Sequence, residues 1–138
     1  MPGDDNPRAV ILVVDDEPEI RRMATLALSE AGFKAEVAED GKSGLESFVK
    51  HRADISLVLT DVVMPIMDGL RMVEKILELE PEMKILFMTG YSDAQLEVLA
   101  RTRFPLVRKP FLPLDLMRAI RAMLAPSGKR VMKANISA

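Results

Sequence analysis

Short apolar runs separated by longer amphipathic segments constrain this chain more than any other feature. The runs fall at Val10–Val14, Lys34–Ala38, 55–60, 84–88 and 106–107 with its neighbours. Three of them are nearly continuous stretches of β-branched residues and Leu, without the polar–apolar alternation of a half-exposed strand. Strands of that kind are covered on both faces, as in a parallel sheet. The intervening segments carry helical stripes. Residues 19–31 place Ile20, Met23, Ala24, Ala27, Leu28 and Ala31 on one side, with Pro18 at the first turn, Asp16 as a candidate N-cap and Gly32 as a stop. Gly41–Lys50, Gly69–Leu79 and Pro113–Leu124 repeat the pattern, and 92–101 is shorter and more polar. A βα unit repeated five times predicts right-handed crossovers and a doubly wound (βα)5 α/β sheet.

Domain organisation follows from where these stripes begin and end. Residues 1–8 are polar with two Pro and one Gly, and read as a flexible leader; 9–125 form one domain; 126–138 lose the stripe and read as a flexible tail, too short for a DNA-binding module. A core is available, since 49% of the 138 residues are apolar, but aromatics are only 4%, so Val, Leu, Ile, Ala and ten Met must fill it. A net charge of −2 gives no case for nucleic acid or membrane as the main partner. No apolar run reaches the ~18 residues of a bilayer span, no signal pattern opens the chain, and with zero Cys there is no thiolate or disulfide chemistry. The expected location is cytoplasmic.

Open parallel sheets bind ligands beyond the carboxyl ends of their strands. At those ends lie Asp15 and Asp16 after the first run, Asp61 after the third, Thr89 after the fourth and Lys109 after the fifth. A single Asp after a strand is ordinarily a cap or an Asx turn. Three at one rim repel one another unless a cation compensates them. Oxygen-only ligands without His or Cys favour a hard ion such as Mg²⁺, which keeps positions open for water or phosphate oxygens. Lys109 and the Thr89 hydroxyl suit two further phosphoryl oxygens. This set suits phosphoryl transfer, with a carboxylate as the nucleophile.

The chain resembles the receiver domain of two-component response regulators from about residue 9 to residue 125. The motifs that carry the resemblance are Val13-Val-Asp-Asp-Glu-Pro18, Thr60-Asp-Val-Val-Met-Pro-Ile-Met-Asp-Gly69, Met88-Thr-Gly-Tyr91 and Arg108-Lys-Pro-Phe111. It implies a flavodoxin-like fold with strand order 2-1-3-4-5 and a cis Lys109–Pro110 bond. It implies that Asp61 accepts a phosphoryl group from a histidine kinase or histidine phosphotransfer protein. Asp15, Asp16, Asp61 and the Val63 carbonyl would hold Mg²⁺, with Mn²⁺ as a substitute. Thr89 would bond the phosphoryl oxygen, and Lys109 would pair first with Asp61 and then with the phosphoryl group. A downstream protein or a second copy would dock on the fourth and fifth helices. The resemblance leaves open a single-domain regulator or the receiver of a hybrid sensor kinase.

Three positions give this chain its own character. Leu106 stands where many receivers carry a mobile Tyr or Phe, so the switch is expected to run through the loop after Thr89 and the fourth helix, with Phe104 packed elsewhere. Val63 and Tyr91 are uncharged, which predicts slow self-dephosphorylation. Glu17 is either a helix-dipole partner or an outer-sphere metal contact. Asp68 is expected to cap the third helix and His51 to lie at the surface. Rival classes are a Mg²⁺-dependent phosphohydrolase, which would want an acid at Val63, a nucleotide or flavin binder, which would want glycines where Asp15-Asp16-Glu17 stand, and a scaffold without chemistry.

Overall fold

A computed structural model describes residues 9–90 and 104–125. Five strands, β1 (Val10–Val14), β2 (Lys34–Ala38), β3 (Ile55–Asp61), β4 (Lys84–Thr89) and β5 (Leu106–Arg108), alternate with α1 (Pro18–Glu30), α2 (Gly41–Lys50), α3 (Gly69–Leu79) and a last helix, Pro113–Leu124. All pairings are parallel and the order is β2-β1-β3-β4-β5. The expected segment 92–101, the leader 1–8 and the tail 126–138 lie outside the described residues.

The continuous apolar runs are explained by the layers. Every residue of β1 is buried, and alternate side chains enter opposite cores. Val10, Leu12 and Val14 pack with Phe48 of α2 and Met72, Val73 and Ile76 of α3. Ile11 and Val13 pack with Ala24 and Leu28 of α1 and Leu116, Met117 and Ile120 of the last helix. A strand with two wet faces could not tolerate this sequence, and a strand with one would waste half of it. Edge strand β2 is more polar, with Lys34 and Val37 exposed.

Local details follow the residue types. Asp68 caps α3, accepting from the Arg71 N–H at 2.9 Å, and Asp40 caps α2, accepting from Ser43 N–H at 2.8 Å. The expected cap Asp16 is displaced by one residue. Pro18 begins the helix, which makes Glu17 the N-cap of α1, and the Glu17 side chain makes no capping hydrogen bond. Phe104 also departs from expectation. It shares a core with Leu106 and meets Phe87 edge-on at 6.3 Å between ring centroids. A strand-like period of two places 104 and 106 on the same side. His51 lies at the end of α2, 3.6 Å from Glu36.

Candidate functional site

The rim is built by strands whose last residues are polar. The β1 chain leaves the sheet at Asp15, which is fully buried; Asp61 ends β3 at 7% exposure and Thr89 ends β4 fully buried. Lys109 follows β5, tied back by its N–H to the Thr89 carbonyl at 2.6 Å. Parallel register therefore brings four of the predicted residues to one end. The Lys109–Pro110 bond is cis.

The backbone around Asp61 is held closely. Its Oδ1 accepts from the Val62 N–H at 2.7 Å, and the Gly69 N–H returns to the Val62 carbonyl at 2.7 Å. A Cβ at Gly69 would collide with the Asp61 carbonyl oxygen, so only glycine lets α3 start this near Asp61. Between them, Ile66 adopts φ +72° with its side chain 77% exposed, a conformation that β-branched residues rarely take. The opposite side of the site is fixed by Arg21, whose guanidinium donates to the Asp15 carbonyl at 2.8 Å. Sequence reading missed Arg21, because an i+6 contact across a helix start depends on the path of the loop.

Lys109 is the hub. Its Nζ lies 3.0 Å from Asp15 Oδ2, 3.3 Å from Asp61 Oδ2 and 3.7 Å from Glu17 Oε1. The resemblance had it pairing with Asp61; the structure adds Asp15, which is nearer, and Glu17. Asp15 Oδ2 is close enough to pair as an ion but is not aligned as a hydrogen-bond acceptor, and it is buried with no hydrogen-bond partner. Asp15 Oδ1 is occupied by the Glu17 N–H at 2.9 Å. Burial raises the Asp15 carboxyl above the usual range. Burial and the neighbouring Asp15 charge push Asp61 up to about 6, against the pull of Lys109. Burial alone would lower Lys109, but Asp15, Asp61 and Glu17 outweigh it and hold the ammonium above the usual lysine range.

One oxygen from each of Asp15, Asp16 and Asp61 lies within 4.8 Å of the others, with Asp16 exposed and the other two buried. Two oxygens on one Mg²⁺ stand at most about 4.2 Å apart, twice the usual ~2.1 Å bond, so the three carboxylates would draw in slightly around an ion. A buried carboxylate oxygen without a hydrogen bond, beside two further acids, fits a hard divalent cation held by oxygen. Val63, whose carbonyl the resemblance assigns to the ion, follows Asp61 by two residues with its side chain 54% exposed. Tyr91 lies outside the described residues.

The family model for the response regulator receiver domain matches residues 11–121. The response regulator receiver protein CpdR of Brucella abortus is 34% identical over 116 residues, covering 83% of this chain and 95% of that protein. The sensor kinase CckA of the same organism is 30% identical over 118 residues, 84% of this chain, which spans only 12% of the kinase. Among solved structures, the response regulator TrrA of Thermotoga maritima, in complex with Mg²⁺ and BeF, superposes with a TM-score of 0.73. It is 31% identical, covering 83% of this chain and 98% of that one.

Proposed function

The chain belongs to the response regulator receiver family, the phosphoacceptor domains of two-component signalling, and on that premise we propose that Asp61 is the residue that takes the phosphoryl group. The observation that carries this is the placement of Asp61. It is a buried carboxylate at the end of β3, with Oδ2 facing Lys109 at 3.3 Å and Oδ1 fixed by the Val62 N–H.

The nucleophile must be ionised, and a carboxyl titrating at about 6 is largely ionised at pH 7. An Asp61 oxygen forms a bond to phosphorus while the bond from phosphorus to the donor's imidazole nitrogen breaks, its electron pair staying on the imidazole. The product is an acyl phosphate. Lys109 is positioned to move from Asp61 to a phosphoryl oxygen, and Thr89 to donate to another. Asp15, Asp16, Asp61 and the Val63 carbonyl would hold Mg²⁺, or Mn²⁺ in its place. When bound, the ion neutralises charge on the carboxylates and the phosphoryl oxygens.

The donor in this reading is a histidine kinase or phosphotransfer protein. Val63, Ile66, Leu112 and Leu114 are exposed apolar side chains within five residues of Asp61 or Lys109, and they suit a protein partner at this rim. The last helix, Pro113–Leu124, together with the segment 92–101 that the sequence analysis expects to be helical, is the proposed face for a downstream protein or a second copy. The chain is not a turnover enzyme in this reading, because Val63 offers no acid or base beside the acyl phosphate. Among the described residues no helix is long and apolar enough to cross a membrane, and the proposed location is cytoplasmic. CpdR is matched along nearly its whole length and CckA over a small part, so both a single-domain regulator and a hybrid-kinase receiver have a relative in view.

The test is to supply Mg²⁺ with acetyl phosphate or beryllofluoride to the wild type and to Asp61→Asn. Stoichiometric modification in the wild type and none in the variant is the expected result. Multiple turnover without accumulation would favour the hydrolase, and no Mg²⁺-dependent response would favour a scaffold.

A further inference from the structure

Glu17 has a side chain that the helix does not use. Its backbone is fixed, with the N–H on Asp15 Oδ1 and the carbonyl accepting from Ile20 and Arg21. Yet its carboxylate makes no cap hydrogen bond, is 59% exposed, and turns to Lys109 at 3.7 Å. The carboxylate is directed at the ammonium rather than at the N–H groups of the helix start. Among the described residues, the oxygens close enough to share an ion come from Asp15, Asp16 and Asp61, not Glu17.

The ammonium and a divalent cation compete for the same carboxylates, Asp15 and Asp61. Asp15 Oδ2 and Asp61 Oδ2 both face Lys109 Nζ, at 3.0 and 3.3 Å. A cation bonded to those oxygens would stand too near the ammonium, and the like charges would drive Lys109 aside. The side chain needs somewhere to go that keeps its charge compensated. Glu17 is the third carboxylate it touches, lies outside the metal-competent trio, and belongs to a residue whose main chain is already anchored.

We infer that Glu17 is a positioning residue for Lys109: it receives the ammonium when Mg²⁺ occupies Asp15 and Asp61, and so keeps the lysine close to the phosphoryl site without competing for the metal. This rests on the Mg²⁺ reading of the site. It assigns Glu17 an action through Lys109 rather than on the ion.

A double-mutant cycle on Mg²⁺ affinity separates the two, read by calorimetric titration of the whole chain with MgCl₂ alone. Glu17→Gln should weaken Mg²⁺ about three- to fivefold, the scale of one partly exposed charge pair. In a Lys109→Gln background the same change should have an effect of less than about 1.5-fold, since the group it acts through is gone. Glu19→Gln, which removes an exposed first-turn acid, should change affinity less than about 1.5-fold in either background. The side-chain ammonium resonance of Lys109 should shift on adding Mg²⁺ to the wild type, and shift differently in Glu17→Gln. Amide spectra verify that each variant is folded. Equal weakening in both backgrounds would overturn the inference, because Glu17 would then act on the ion directly. No weakening with Lys109 present would also overturn it. Absence of Mg²⁺ binding in the wild type would instead remove the metal reading itself.

Discussion

The two ends of the sheet carry opposite kinds of ion pair. At the amino end of the strands, Arg52 meets Glu80 at 2.7 Å, a short hydrogen-bonded pair of equal and opposite charges, each side chain about two-fifths exposed. At the carboxyl end, one ammonium faces three carboxylates at 3.0 to 3.7 Å, two of them almost fully buried. By distance alone the first is the better bridge. By physics it contributes little, because water competes for both partners. The second is longer, unbalanced and desolvated, and each of its members depends on the others. Function sits where charge compensation is incomplete.

The largest expected effect comes from removing the hub. Lys109→Gln leaves Asp15 and Asp61 facing each other without a cation, and should cost about 2–4 kcal/mol of stability at pH 7.5 in the absence of metal. The loss should shrink below pH 6, where one carboxyl takes up a proton, and should shrink on adding Mg²⁺. Urea melts at two pH values with and without MgCl₂ measure both. A melt unchanged at pH 7.5 would put the two ends of the sheet on the same footing and break the contrast.

Removing a carboxylate should do the reverse. Asp61 has its folded-state pKa raised from 3.8 to about 6, so between those values the folded protein holds a proton that the unfolded chain has lost. Stability from this group therefore falls as pH rises through that window and is flat above it. Asp61→Asn has no such titration. It should be more stable than the wild type by about 1–2 kcal/mol at pH 7.5 without metal, the advantage fading toward pH 4. The same proton competes with Mg²⁺, so wild-type affinity should drop up to about tenfold per pH unit below 6. Melting curves across pH 4–8 and a parallel Mg²⁺ titration read the two halves.

Much of this was legible in residue types and spacing, for reasons that also mark where legibility stopped. Continuous apolar runs specify two-sided burial, and a polar residue at the end of such a run has nowhere to go but the rim. That placed Asp15, Asp61, Thr89 and Lys109 together. Which oxygen Lys109 prefers was not legible, since four methylenes let the ammonium choose among several acids and only the loop path decides. The nearer partner is Asp15, and Glu17 joins it. Gly69 read only as the start of a helical segment, but its reason is the close approach to the Asp61 carbonyl, a tertiary contact. Asp16 looked like a cap because Asp is a good one, yet Pro18 sets the helix start and makes Glu17 the cap position.

The smallest effect tests the other side of the comparison. Arg52 does two things at the amino end: its Nε donates to Glu80, and a second nitrogen donates to the Leu79 carbonyl at 2.8 Å, at the last turn of α3. A helix C-terminus leaves carbonyls without intrahelical partners, and a cation there also opposes the dipole. If the carbonyl matters more than the carboxylate, Arg52→Ala should cost about 0.5–1 kcal/mol and Glu80→Gln only about 0.2–0.4. Raising the salt concentration should erase the Glu80→Gln effect while leaving part of the Arg52→Ala effect, because a hydrogen bond to a neutral carbonyl is screened less than an exposed ion pair. Thermal melts of the two variants at low and high NaCl distinguish these. Equal costs that vanish together would mean the exposed pair acts as charge alone. A cost above about 2 kcal/mol for Glu80→Gln would show that solvent exposure is not what separates the two ends.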